Sequence, residues 1–319
     1  MSRHILISNN VPFHHDIVIS VIEKYDFLLK TNKIDNDALD VHLSKSDFDI
    51  KTDLNLKGLV DYISSTYPNV NILFGDIDES IYTHKIYCSL IAESAKETDG
   101  NMSLSSVIDN ETIAYISHDI TDYFLKFKNI YYLSKFNRQD VPESNVFTID
   151  RMPKTEKKHK LKREFVVLGS FTRAKFDNTR DFSILEKILS IEYDTDFVIN
   201  IVGSWHQESF NLWDFIDKNL VHPSNINKIN LCLNQDWSTF NFIVSNSDFI
   251  LPLLSKDKQG IYFNEKATSS SFYIKSYNLK TFAEEGFELA YSLNDDLCTT
   301  YNLDNIIERF TKCLEESNE

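Results

Sequence analysis

A chain of 319 residues is long enough for two hydrophobic cores of ordinary size, and its 42% apolar and 25% charged residues are those of a folded globular protein rather than a disordered one. The formal net charge of -15 makes the surface repel phosphate backbones and anionic headgroups. It argues against nucleic acid and acidic membranes as general partners and leaves room only for a local basic pocket holding one small anion.

The four cysteines, Cys88, Cys232, Cys298 and Cys313, are too scattered for a local zinc knuckle or redox pair and read as reduced, mostly buried thiols. The first residues carry Arg3, His4, Asn9 and Asn10 in place of the apolar run of a signal peptide. No stretch reaches the roughly 20 apolar residues that span a bilayer. A cytoplasmic location is expected, with peripheral membrane contact through a partner left open.

Short apolar runs ending in turn residues alternate with amphipathic stretches, the pattern of βαβ units around a parallel sheet. The first strand is expected at His4–Ser8, followed by a loop and a helix over Ile17–Tyr25. A helix over Leu56–Tyr67 leads through Pro68 into a strand at Val70–Phe74. Further strands are expected at Ile86–Ile91, Thr112–Ser117, Ile130–Ser134 and Val146–Ile149.

The basic stretch RMPKTEKKHKLKRE at 151–164 lacks hydrophobic periodicity and reads as a linker. Beyond it, Phe165–Leu168 ends in Gly169-Ser170 and Phe197–Val202 ends in Gly203-Ser204, with a helix over Phe182–Leu189 between them. A strand at Ile229–Leu233, a helix at Ser238–Val244, a strand at Phe249–Leu253 and a helix at Thr268–Tyr277 follow. Apolar residues at helical spacing over Leu303–Leu314 make a terminal helix. The expected organisation is therefore an N-terminal domain at 1–150, a linker at 151–164, a C-terminal domain at 165–302 and a terminal helix at 303–319.

Open α/β sheets bind ligands beyond the carboxyl ends of their strands, and glycine there admits a ligand close to the backbone. Gly169, Ser170 and Gly203 are candidates on that ground, the alternative being that each glycine simply permits a turn. The loop after Gly169 carries Arg173, Lys175 and Arg180 ahead of a helix, as a diphosphate requires. In YFNEKATSSSFYIKSY at 262–277, Glu265 and Lys266 precede Thr268, Ser269, Ser270 and Ser271, hydroxyl residues of a helix start that would direct amides and a cation at an anion.

Three runs, Thr112-IAYISHDI-Thr121, IYYLSKF at 130–136 and VVLGSFTRAKFDNTRDFSIL at 166–185, stand in the order found in glycosyltransferases of the two-Rossmann-domain type, GT-B. SDFILPLL at 247–254 followed by YFNEKATSSSF is similar to the donor-side region of that class. The resemblance covers about 110–290. It implies an α/β fold of two Rossmann-like domains facing each other across a cleft. The C-terminal domain would hold a nucleotide-diphosphate sugar, the N-terminal domain a glycan or other hydroxyl acceptor, with no obligatory metal or cofactor. Donor contacts would come from Gly169, Ser170, Arg173, Lys175, Gly203, Glu265, Lys266, Thr268, Ser269 and Ser270. His118 and Asp119 would lie at the reacting sugar as acid–base groups, and His14 and His15 would face the acceptor.

Two departures accompany the resemblance. Phe272 stands where a second glutamate of the donor pair would fall after Glu265, and SNNVPFHH replaces a glycine-rich first loop. Two rivals remain: a catalytically silent GT-B-like binding subunit, and a metal-dependent glycosyltransferase using Asp76/Asp78, the one Asp-x-Asp pair that follows a convincing strand.

Overall fold

The computed structural model describes residues 4–8, 18–19, 22–23, 39–43, 54–74, 86–91, 113–117, 130–132, 134–136, 138–146, 162–171, 180–205, 211–214 and 216–316. The chain divides into two compact units, Met1–Met152 with Glu265–Ala267 and Pro153–Asn264 with Thr268–Glu319. Each is built on a six-stranded sheet.

In the first unit β1 (His4–Ser8), β2 (Leu39–Leu43), β3 (Val70–Phe74), β4 (Ile86–Ile91), β5 (Ile113–Ser117) and β6 (Ile130–Tyr132) form a parallel sheet in the order β3-β2-β1-β4-β5-β6. Parallel neighbours require crossovers. One passes through the helical residues Val18, Ile19 and Ile22, all buried. Another is α1 (Leu54–Thr66), whose Leu59 and Ile63, four apart, are fully buried while Lys57 and Asp61 pair on the exposed side.

Strand β2 was not among the expected elements, because Asp40 and His42 interrupt its apolar run. Asp40 is nonetheless buried, and Asn71, its partner in register on β3, donates to its Oδ1 at 2.9 Å. At the other edge β6 stops at Tyr132, two residues short of expectation. Of the strand expected at Val146–Ile149, Val146 makes a parallel bridge with Tyr132, and 147–149 lie outside the described residues.

The second unit contains β7 (Arg163–Phe171), β8 (Phe197–Trp205), β9 (Ile229–Leu233), β10 (Phe249–Ile250), β11 (Lys280–Glu284) and β12 (Cys298–Tyr301), all parallel, in the order β12-β11-β10-β7-β8-β9. Counted from the first strand of each unit, the two sheets share one order and reverse direction at the same place, the Rossmann-like pattern. Arg163 and Glu164 belong to β7 rather than to the expected linker. The Arg163 amide donates to the Asp196 carbonyl, and the Glu164 amide to Asp248 Oδ2 at 2.9 Å.

The helices of this unit are α2 (Phe182–Leu189), α3 (Trp237–Asn246), the single turns α4 (Lys256–Gln259) and α5 (Ile261–Asn264), α6 (Ser269–Tyr277), α7 (Phe287–Tyr291) and α8 (Ile306–Glu315). Helix α2 buries Phe182, Ile184, Leu185, Ile188 and Leu189. Phe310 of α8 lies 4.8 Å from Phe165 and 5.5 Å from Phe197, Phe282 and Tyr193, ring centre to ring centre, within reach of favourable aromatic contact. Burying each such ring contributes roughly 2–3 kcal/mol. Cys298 and Cys313 are buried thiols, pushed up to about 12 by desolvation. Among the described residues no helix is long and apolar enough to cross a membrane.

Candidate functional site

The second sheet reverses its strand order between β7 and β10. In sheets of this kind ligands bind at such a reversal, beyond the carboxyl ends of the two strands.

Neither glycine expected to end a strand does so. Both β7 and β8 run two residues further, and Gly169 and Gly203 are register partners inside the ladder. A Cβ on Gly203 would lie 1.7 Å from the Gly169 carbonyl oxygen, so only glycine lets the two backbones approach this closely. At Gly169 the restriction is milder: a Cβ there would meet the Phe171 ring at 3.1 Å and only touch Arg180 Nε, at 3.6 Å. Arg180 is buried, and its Nε and Nη2 donate to the Leu168 carbonyl at 2.8 and 2.5 Å. Desolvation lowers its pKa, opposed by the neighbouring Tyr262 and Tyr291. Arg180, read from sequence as a phosphate cation, thus binds backbone at the end of β7.

Asp181 follows as the N-cap of α2, accepting from the Ser183 amide at 3.2 Å and its hydroxyl at 2.6 Å. Lys258 Nζ reaches the same oxygen at 2.8 Å, and the Asp181 amide donates to the Leu253 carbonyl at 2.6 Å. Burial pushes the Asp181 carboxyl up, but hydrogen bonds from Lys258, Ser183 and Ser255 outweigh it and hold it below the ordinary range. Gln259 Oε1 accepts from both the amide and the hydroxyl of Ser255. On the other side Glu284, ending β11, accepts from the Lys256 amide at 3.2 Å. Burial raises the Glu284 pKa, the Lys256 amide opposes this, and Asp257 and Asp181 add to the rise. The crossover after β10 is thereby fastened to its neighbours on both sides.

The segment 262–277 carries the remaining donor-side candidates. Thr268 is the N-cap of α6 but makes no side-chain cap bond, and the Ser271 hydroxyl turns back to the Thr268 carbonyl at 2.7 Å. Ser269 is exposed. The Ser270 hydroxyl is fully buried and has no partner among the described residues. The hydroxyls expected to face one ligand together therefore diverge. The Thr268 amide donates to Tyr291 Oη at 3.1 Å, and that hydroxyl donates to the Tyr262 carbonyl at 2.7 Å. Glu265 is exposed, and Lys266 is half-buried with its pKa lowered by desolvation. Phe272, in the position of a second glutamate, is buried.

Of the sequence candidates, Arg180 has Tyr262 and Tyr291 as electrostatic neighbours, and Tyr291 is hydrogen-bonded to Thr268. His14, His15, Asp76, Asp78, His118, Asp119, Arg173 and Lys175 lie outside the described residues. Among the described residues no group of three or more His, Cys, Asp or Glu gathers as metal ligands. Sequence reasoning missed Tyr291, Glu284 and Lys258. Asp181 had a signal, a capping residue directly before an apolar helix; nothing in the sequence marks Tyr291.

No protein-family model matches the chain, and no curated protein matches it in sequence. Solved structures do resemble it in fold. A glycosyltransferase from Rickettsia africae superposes with TM-score 0.53 at 12% identity, covering 98% of this chain and 88% of that one. The Anabaena protein HepE, in complex with UDP and glucose, gives 0.52 at 9%, covering 99% and 90%. A putative UDP-N-acetylglucosamine 2-epimerase from Listeria monocytogenes gives 0.51 at 10%, covering 98% and 88%. The chain has the GT-B fold that glycosyltransferases share with sugar-nucleotide epimerases, with two Rossmann-like domains.

Proposed function

We propose that the chain transfers a sugar from a nucleoside-diphosphate donor to an acceptor hydroxyl of a glycan or glycoconjugate, with the donor diphosphate seated beyond the carboxyl ends of β7 and β10. One observation carries this reading. Where the strand order reverses, the buried Arg180 has Tyr262 and Tyr291 as electrostatic neighbours, and Tyr291 accepts a hydrogen bond from the N-cap residue of α6. Amides at a helix start and nearby cations stabilise a diphosphate, and they do so more strongly as it leaves and gathers charge.

In this reading Lys266 contacts the diphosphate, and an anion beside it restores the charged state that desolvation disfavours. Arg173 and Lys175 are assigned to the same phosphates, and Ser170, Glu265 and the exposed Ser269 to the donor. His118 and Asp119 serve the acid–base step, and His14 and His15 the acceptor. Cations and amides take up the diphosphate charge, so the reading requires no metal.

UDP is the first probe, since the Anabaena neighbour was solved with it. Titration calorimetry should detect UDP binding, and Lys266→Ala should weaken it by about 1–3 kcal/mol, roughly 5- to 150-fold. Unchanged affinity would remove Lys266 from the site. No thermal response to UDP or any other nucleoside diphosphate would reassign the chain as a catalytically silent binding subunit. Inversion of a UDP-sugar at C2 without transfer would make it an epimerase.

A further inference from the structure

We propose that the Tyr291 hydroxyl is a positioning group that clamps both ends of the segment carrying Glu265 and Lys266. Tyr291 ends α7, and its ring is buried at 4.5 Å from that of Phe287. A phenol can donate one hydrogen bond and accept others, and this one does both. It donates to the Tyr262 carbonyl in α5 and accepts from the amide of Thr268, the N-cap of α6. Those two residues bracket 263–267, so a single oxygen sets the separation of the two ends of the loop. Phe263 and Ala267, just inside the bracket, are buried, while Glu265 is exposed. The loop thus stands on a fixed base.

The clamp also acts on the helix start. A first-turn amide is useful to an anion only if the turn is held at a fixed place, and the Thr268 amide is spent on Tyr291 rather than on a ligand. The amides that follow it are then presented from an anchored residue. Burial keeps the phenol protonated, which preserves its donor role toward Tyr262. The consequence for nucleotide binding rests on the proposed function; the clamp itself does not.

The test uses Tyr291→Phe, which keeps the ring and removes the oxygen. Tyr193→Phe is the control: Tyr193 loses a comparable buried bond, to the Ile188 carbonyl at 2.6 Å, but precedes β8 at the opposite, amino edge of the sheet. Brief trypsin digestion followed by mass spectrometry reads the cut after Lys266, which depends on local opening of the segment. That cut should quicken about tenfold in Tyr291→Phe and stay at the wild-type rate in Tyr193→Phe. UDP affinity should fall about tenfold in Tyr291→Phe while uridine affinity holds, because only the phosphates meet the helix start. A cut rate unchanged by Tyr291→Phe, or quickened equally by both variants, overturns the clamp. A faster cut with UDP and uridine weakened alike overturns the positioning role. If the wild-type protein binds no nucleoside diphosphate, the proposed function fails and the trypsin comparison alone decides the clamp.

Discussion

At the scale of single residues, two glycines that look equivalent in sequence do unequal work. Gly203 faces backbone: an added methyl group would meet the Gly169 carbonyl oxygen at 1.7 Å and its carbon at 2.8 Å, and neither can rotate away. Gly169 faces side chains, the Phe171 ring at 3.1 Å and Arg180 Nε at 3.6 Å, which can shift. Gly203→Ala should therefore cost about 3 kcal/mol or more in urea unfolding, and Gly169→Ala distinctly less. Equal stability of Gly203→Ala and wild type would mean that β7 and β8 separate here without cost. The repeated Gly-Ser was visible in the sequence. That the two copies lie side by side in one ladder was not, because register is a long-range property of two strands and leaves no mark on either one.

At the scale of elements, strands were legible where Ile, Val, Leu and Phe hold most positions, as at Val70–Phe74 and Ile229–Leu233. They were hidden where a buried polar residue finds a partner across the sheet, as Asp40 does with Asn71, or where hydroxyls occupy half the strand, as in Cys298–Tyr301. The strand expected over Phe249–Leu253 is cut to Phe249–Ile250, and Leu253 takes a positive φ of 49° that turns the chain. Its carbonyl is then free of the ladder and receives the Asp181 amide.

The fastened crossover after β10 also sets opposite pH responses on its two sides. The raised Glu284 pKa means the folded state resists ionisation, so that stability contribution is present below the ordinary carboxylate pKa and is lost as pH rises through the folded value. The lowered Asp181 pKa works in reverse: its contribution is present above the ordinary value and is lost as pH falls through the folded one. Relative to wild type, Glu284→Gln should therefore gain stability between pH 4 and pH 7. The shift should be small, on the order of a degree or two in Tm, because solvent reaches the group. Asp181→Asn should fall progressively below wild type in stability as pH rises from about 2 to 5. Parallel pH curves for either variant and wild type would contradict the assigned shift.

At the scale of the whole molecule, each unit repeats one strand order around its own core, and the proposed function assigns the acid–base step to His118 of the first. His118→Ala should then leave UDP affinity unchanged while lowering kcat by about 10²- to 10⁴-fold, as measured by sugar transfer from a UDP-sugar. Full turnover in that variant would reject its acid–base role. The organisation into two parallel sheets was legible because each βαβ unit announces itself locally. The association of Arg180 with Thr268 was not, because it runs through Tyr291, a residue far along the chain with no motif of its own. The aromatic cluster around Phe310 carries a further consequence for synthesis. Its rings come from β7, β8, β11 and α8, so nearly all of the second unit must be translated before that floor closes. At roughly 5–20 residues per second, the nascent sheet waits on the ribosome for on the order of ten seconds with Phe165 and Phe197 uncovered, the interval in which a chaperone would have most to protect.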